Sequence, residues 1–277
     1  MGFESYTGAR PVEAVADGKM GGEQNAWPGQ GGVVNSGFWI SWYNLPEQGR
    51  DEYLAWLHGS YIPAVLARPG VLGAAHYASE ANVRISGEAG RLRNTTDPKV
   101  PAGDRFILVF GGRTPHAFAN PAPSIWHAGL PAADRRMLAM RIGERSNVMA
   151  LEGMALGPEA AAAPGEMTFM PGMQMGSFNA GALEDEDELM DWYATWRLPC
   201  MEKLPGCVRI RKLVSVSGWA KHAVFYEFLS VDARNRKFVD HEGFDPKMEA
   251  WTDRVVRKLV HAPGSPNVAH RIWPPEQ

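Results

Sequence analysis

The sequence predicts an α+β protein made of two copies of one β-α-β-β-α-β unit within a single chain. Three observations support this prediction. One segment occurs twice, strand-like segments flank both copies in the same order, and a second helix-like segment follows the later strands of each copy. The repeated segment is the decisive observation, because overlooking an internal repeat leads to the wrong fold assignment.

The repeated segment is residues 52–70, EYLAWLHGSYIPAVLARPG, which aligns without a gap with residues 188–206, ELMDWYATWRLPCMEKLPG. About one identity is expected by chance in such a window, so the match indicates a duplication. Apolar residues recur at helical spacing in both copies. The internal proline of each copy predicts a kink or a restart of the helix, because proline lacks a backbone N–H. The identical pairs are Glu52 and Glu188, Trp56 and Trp192, Pro63 and Pro199, Pro69 and Pro205, and Gly70 and Gly206.

The segments around these helices complete the unit. Alternating and β-branched patterns predict strands at 36–45, 71–79, 105–112 and 146–156, and again at 172–180, 207–218, 221–231 and 267–273. Second helices are predicted at about Ala132–Ile142 and Pro246–Leu259. This order is that of the ferredoxin-like motif, with antiparallel sheets that can enclose one apolar pocket. We predict a loosely ordered arm at 1–34, a first repeat at 35–156 with an insertion at 80–104, a linker at 157–165 and a second repeat at 166–277.

Composition narrows the classes of function. The chain has 277 residues, is 45% hydrophobic and carries a net charge of -3. We therefore expect no nucleic-acid or lipid partner, since both attract basic surfaces. No apolar stretch approaches a membrane span, the N-terminus lacks a secretory signal pattern, and Cys200 and Cys207 cannot form a disulfide framework. We expect a cytoplasmic protein. The 10 Trp and 13 Met residues suggest a pocket for a flat, apolar ligand.

The pattern W-x4-[YR]-x-P-x5-PG, which begins at Trp56 and at Trp192, resembles the dimeric α+β barrel superfamily. The similarity is greatest to EthD-like proteins and antibiotic-biosynthesis monooxygenases, here in tandem duplicated form. The resemblance implies that two four-stranded sheets pair into a barrel, and that substrates bind between a sheet and its helices or inside the barrel. Activities of the superfamily include cofactor-free oxygenation of aromatic polyketides, lactone isomerisation, decarboxylation, cyclisation and haem chemistry.

EthD-like members commonly carry a histidine two residues before the helical proline, and this chain does not. The position holds Tyr61 in one copy and Arg197 in the other, while His58 lies three residues before Tyr61 on nearly the same helical face. Arg197 is either a clamp for a carboxylate or phenolate or a salt-bridge partner of Asp191 or Glu202.

No motif identifies a reaction, since the chain has no P-loop, no GxSxG and no HExxH. Polar residues on apolar strands are then the candidates for a buried site. Glu227 is either an acid or base with a raised pKa or a partner of Arg209 or Arg211. Asp240, His241 and Glu242 resemble a metal cluster only superficially, because adjacent residues diverge on any regular element, and we expect no metal there. The candidate catalytic residues are Arg197, Tyr61, His58, His76, His222, Glu227 and His270.

The first strand of each copy supplies candidate substrate contacts, although sequence does not reveal which alternate set faces the pocket. These contacts are Trp39, Trp42, Tyr43, Met173, Met175 and Phe178, to which Tyr226 is added. The leading interpretation is a cofactor-independent lyase that transforms a hydrophobic aromatic molecule by proton transfer. The alternatives are a cofactor-free oxygenase of an electron-rich aromatic, a non-catalytic binding protein, and a haem protein with His222 or His270 as axial ligand. A monomer and a homodimer both fit the duplication.

Overall fold

The computed structural model describes residues 35–81, 90–163, 168–239 and 246–275. The predicted arm at 1–34, the segments 82–89 and 164–167, and Asp240–Glu242 lie outside the described residues. The strands are β1 Gly37–Asn44, β2 Val71–Ser79, β3 Phe106–Gly112, β4 Ile142–Leu156, β5 Gly172–Asn179, β6 Cys207–Ser217, β7 His222–Phe228, β8 Val260–His261 and β9 Asn267–Trp273. The helices are α1 Arg50–Trp56, α2 Ile62–Leu66, α3 Pro123–Gly129, α4 Ala132–Leu138, α5 Leu183–Trp192, α6 Leu198–Met201, α7 Val231–Ala233 and α8 Pro246–Lys258.

Eight of these strands close into an antiparallel barrel. The first repeat contributes the order β4-β1-β3-β2 and the second contributes β9-β5-β7-β6. The fourth strand of each repeat pairs with the second strand of the other, through β4 with β6 and through β2 with β9. The short β8 adds to the end of β5. The prediction of two ferredoxin-like repeats that form an intramolecular barrel is therefore confirmed.

The barrel interior is filled by side chains. In β1, Phe38, Ile40 and Trp42 point inward, while the alternate residues Trp39 and Tyr43 pack against the helices of the first repeat. Met173 and Met175 of β5 also point inward, whereas Phe178 faces the helices of the second repeat. Eight strands leave an interior just wide enough for side chains. These inward-facing residues form one buried apolar cluster among the described residues, and the two cavities described below lie on the helix side of the sheets.

The first helical unit of each repeat contains a π-helical turn at the same place. The turn spans Leu57–Tyr61 in the first repeat and Tyr193–Arg197 in the second, and each is followed by a short α-helix with proline in its first turn. Pro63 and Pro199 cannot donate the backbone hydrogen bond that an α-helix requires, so the preceding turn widens. The predicted irregularity at both prolines is confirmed.

Two predicted boundaries differ from the structure. The helix predicted at Ala132–Ile142 ends at Leu138 and is preceded by α3, and β4 begins at Ile142 rather than at Ser146. The strand starts early because β1 extends to Asn44, whose backbone pairs with Ile142. The repeat boundary at 157–165 stays a proposal; β4 ends at Leu156 and β5 begins at Gly172.

Candidate active site

A cavity of about 440 Å³ lies on the helix side of the first repeat. Its walls come from the connection between β3 and β4, which includes α3, and from β4 itself. The end of β6 completes the rim, so both repeats contribute to this site. Its surface is mainly apolar, with a few polar groups, as is usual for small-molecule sites. The lining residues are Pro115, His116, Phe118, Ala119, Ala122, Pro123, Ser124, His127, Glu144, Ser146, Val148, Val216 and Ser217.

His127 is the main titratable group of this cavity. It lies on α3, and its Nε2 atom is 2.7 Å from the hydroxyl oxygen of Tyr61. Burial, together with a smaller effect of the nearby Arg141 guanidinium, lowers the pKa of His127 to about 4. The ring is therefore neutral at pH 7. Because Nε2 is engaged by Tyr61, Nδ1 is the nitrogen left for a ligand.

Ser146 is a directed hydrogen-bond donor at the same wall. Its hydroxyl oxygen accepts hydrogen bonds from Trp39 Nε1, at 2.8 Å, and from the Ser41 hydroxyl, at 3.2 Å. A serine hydroxyl accepts two bonds and donates one, so its own hydrogen remains for a third partner. The Trp39 and His127 rings lie 5.5 Å apart, which places Ser146 and His127 on neighbouring parts of the cavity wall.

A buried arginine lies beneath Tyr61. Arg141 donates from Nε to the Tyr53 hydroxyl at 2.7 Å and from Nη1 to Glu144 at 2.6 Å, and its guanidinium lies over the Tyr43 and Tyr61 rings. Burial alone would lower the pKa of Arg141, but Tyr53 and Glu144 together raise it. Burial also raises the pKa of Tyr61. The arginine therefore stays charged and the tyrosine stays protonated.

His58 and His76 form a second polar chain in the first repeat. His76 is fully buried, and its two ring nitrogens lie 2.9 Å from Tyr43 Oη and 2.9 Å from His58 Nε2. Burial lowers the pKa of both histidines, and His58 lowers that of His76 further. His58 stacks on Trp273, away from the residues that line the large cavity.

The second repeat holds a cavity of only about 70 Å³ in the corresponding region. Arg197, Tyr226 and Phe178 are among its lining residues. Arg197 Nε donates to the Tyr226 hydroxyl at 2.8 Å, and its guanidinium lies over the rings of Trp192 and Tyr226.

The remaining candidate acids and bases of the second repeat are held in ion pairs. Buried Glu227 accepts hydrogen bonds from Arg209 and Arg211 and from the backbone N–H of Met170. Each of these partners favours the ionised carboxylate. His270 pairs with Glu80 at the surface, where half of its side chain is exposed.

His222 belongs to a separate buried network. One of its ring nitrogens contacts Glu186 at 2.6 Å and the other contacts Lys212 at 2.8 Å. Lys212 in turn donates to Glu152 at 2.7 Å. Burial lowers the pKa of His222, and Lys212 lowers it further. His222 therefore links the first turn of α5 to the sheet.

The fold has relatives among solved structures. An anthrone oxidase-like protein superposes with a TM-score of 0.54 at 12% identity, over 86% of this chain and 92% of that one. A candidate monooxygenase from Fusobacterium nucleatum subsp. nucleatum superposes with a TM-score of 0.51 at 9% identity, over 86% and 93%. No family model matches the sequence, and no curated protein does. By fold, the chain is a duplicated dimeric α+β barrel.

Within this duplicated barrel, the predicted site residues do not converge on one place. Tyr61 reaches the large cavity through His127, and Arg197, Tyr226 and Phe178 border the small one. Trp42, Met173 and Met175 lie in the barrel core. Tyr43, His76 and His58 form a chain of their own, and Trp39 supports Ser146.

Several polar residues at the large cavity are not among the candidates that the sequence predicts. These are His127, Ser146, Glu144 and His116, together with Arg141 beneath them. One signal was available, because Trp126 and His127 are adjacent in a short stretch bounded by Pro123 and Gly129. No helix among the described residues is long and apolar enough to cross a membrane. Nor do the described residues include a group of three or more His, Cys, Asp or Glu side chains that could hold a metal ion.

Proposed function

We propose that the duplicated barrel oxidises an electron-rich hydroxylated aromatic molecule with O₂, without an organic cofactor, in the cavity of the first repeat. The observation that carries the proposal is the pairing of a neutral histidine with a directed hydroxyl donor on one apolar wall. His127 Nδ1 is open to a ligand, and the Ser146 hydroxyl has a hydrogen left to donate. Sequence reasoning placed a lyase first; the names of the two fold relatives support the oxygenase alternative instead.

The chemistry follows from these two groups. The tautomer of His127 that donates from Nε2 to the Tyr61 oxygen presents the Nδ1 lone pair to the cavity. Nδ1 takes a proton from a CH₂ group beside an aromatic carbonyl, and the Ser146 hydroxyl donates to the enolate oxygen that forms. The carbanion adds O₂ to give a peroxide anion, which recovers the proton from His127. The hydroperoxide then loses water, so that CH₂ and O₂ become C=O and H₂O.

Glu144 and Arg141 set the charge of the cavity. Arg141 balances the carboxylate of Glu144, so no surplus cation of this pair faces the ligand. A buried site without a spare cation disfavours a carboxylate substrate. We therefore expect the substrate to be a neutral phenol or its keto tautomer, which becomes an anion only after His127 has taken its proton.

The test measures O₂ consumption and quinone formation with anthrone and with 1,8-dihydroxyanthrone. His127→Gln should lower the rate roughly 10²–10⁴-fold, the usual contribution of a positioned general base. His270→Gln is the matched control, because this histidine lies at the surface, and it should leave the rate unchanged. Turnover that proceeds equally fast without O₂ would restore the lyase interpretation. Tight binding of either compound without turnover would indicate a non-catalytic binding protein.

A further inference from the structure

We propose that Tyr61 and Trp56 form an electron-transfer path that drains oxidising equivalents from the cavity to the protein surface. The path begins at the cavity wall, where the Tyr61 ring lies 5.9 Å from the His127 ring. The Tyr61 and Trp56 rings are 5.2 Å apart, and Trp56 is half-buried. An electron from Trp56 therefore crosses only one contact between adjacent rings to reach Tyr61, and the oxidising equivalent moves outward to a residue that solvent reaches.

Each redox-active ring on the path has a proton acceptor. The path uses the other tautomer of His127, which carries its proton on Nδ1 and accepts the Tyr61 hydrogen bond at Nε2. When Tyr61 loses an electron in this state, its phenolic proton moves to Nε2, 2.7 Å away. Trp56 next gives an electron to the tyrosyl radical, which takes the proton back. The Trp56 indole N–H donates to Asp134 at 2.8 Å, so this carboxylate takes the indole proton and leaves a neutral radical. A soluble one-electron reductant of the thiol or ascorbate class then restores Trp56, and the proton returns from Asp134.

Trp126 offers a second route that electrostatics disfavours. Its ring is also 5.2 Å from Tyr61 and is half-buried. The guanidinium carbon of Arg68 lies 5.7 Å from its ring centroid, and a fixed positive charge opposes formation of a tryptophan radical cation. Asp134 has the opposite effect at Trp56. The direction of the path is therefore set by these two charges.

The second repeat lacks the same path, although it keeps the tryptophan. Trp192 aligns with Trp56, but its indole donates to the Thr252 hydroxyl rather than to a carboxylate. Arg197 occupies the position of Tyr61, and an arginine cannot supply the electron. The path is thus confined to the repeat that has the large cavity. It rests on the proposed function only for its source of oxidant, an oxygen-derived species formed in the cavity.

The experiment generates the oxidant by light and so does not depend on turnover. A photo-oxidised ruthenium polypyridyl complex in solution removes electrons from exposed rings, and transient absorption follows tyrosyl and tryptophanyl radicals. In the wild-type chain the oxidising equivalent then enters at the surface and runs the path in reverse, so a tryptophanyl radical should precede a tyrosyl radical. Trp56→Phe should slow tyrosyl formation at least roughly tenfold, the effect of about 1.4 kcal/mol of added barrier. Tyr61→Phe should remove most of the tyrosyl signal.

Trp192→Phe is the matched control and should behave as the wild type. Asp134→Asn is the second variant, because it changes only the proton acceptor at a partly exposed site; it should also slow tyrosyl formation. Equal effects of Trp56→Phe and Trp192→Phe would overturn the path, as would an undiminished tyrosyl signal in Tyr61→Phe. Slower anthrone turnover in His127→Gln tests the proposed function separately, so the two ideas can fail independently.

Discussion

In the first repeat the π-helical turn ends at Tyr61, whose hydroxyl contacts a histidine on the wall of a cavity of about 440 Å³. In the second repeat the same turn ends at Arg197, which packs between Trp192 and Tyr226 beside a cavity of about 70 Å³. The backbone frame is shared, including the proline after the turn and a left-handed glycine at Gly70 or Gly206. The difference between the cavities therefore comes from side chains and from the later connections.

A second pair of aligned positions, which lies on the sheet, also differs between the two repeats. His76 of β2 and Lys212 of β6 align, and both are buried basic side chains beneath the first helical unit. His76 forms its side-chain hydrogen bonds with neutral partners, Tyr43 and His58. Lys212 is balanced by the carboxylate of Glu152. At these aligned positions the first repeat therefore has a hydrogen-bonded chain of histidines and tyrosine, and the second repeat has an ion pair.

The largest expected effect concerns Arg197. Arg197→Met should lower the free energy of unfolding by roughly 3 kcal/mol, because it removes a charged hydrogen bond and the stacking on two aromatic rings. Ligand affinity at the first-repeat cavity should not change. Denaturant unfolding and ligand titration on the same variant give both quantities. If ligand affinity falls while the free energy of unfolding is unchanged, Arg197 is a ligand clamp. The ligand site would then lie in the second repeat rather than in the first.

The next effect is acid sensitivity in the first repeat. Burial holds the pKa of His76 well below 6.5 in the folded state, so only the unfolded chain binds a proton there between pH 6.5 and the lowered value. The contribution of His76 to stability is complete above pH 6.5 and falls with pH below it, at up to about 1.4 kcal/mol per pH unit. Unfolding curves at several pH values measure the slope. His76→Gln should flatten it.

The order of strands and helices could be predicted from the sequence, because local sequence patterns determine these elements. Strand alternation located β2 and β9 to the residue, and the prolines at 63 and 199 located both π-helical turns. The cavity was not predictable in this way, because His127 lies in a proline-rich connection whose path depends on distant packing. Strand alternation also could not show that Trp39 faces the helices while Trp42 faces the barrel core.

A smaller effect is expected at the glycine that ends the first helical unit of each repeat. Gly70 and Gly206 have φ values of 82° and 87°, so alanine at either position should cost about 1–2 kcal/mol. Gly206→Ala should cost more, because its added Cβ would lie 3.0 Å from Lys237 Cβ and 3.2 Å from the carbonyl oxygen of Ala233, whereas at Gly70 the nearest atom is the Ala117 methyl at 3.3 Å. Thermal unfolding of the two variants compares them directly. A larger loss at Gly70 would show that the two ends are not equivalent.

The smallest effect tests whether the second repeat contributes to the cavity of the first. Val216 lies at the end of β6, lines the rim and is 66% exposed. Val216→Ala removes two methyl groups that only partly contact a ligand, so the affinity for 1,8-dihydroxyanthrone should fall by roughly 0.5–1 kcal/mol. Stability should hold, since the side chain is mostly in solvent. Leu183→Ala is the matched control, because Leu183 is 72% exposed on α5 and does not line the cavity. If the two variants bind equally well, the ligand lies wholly within the first repeat, and the rim from β6 only bounds the opening.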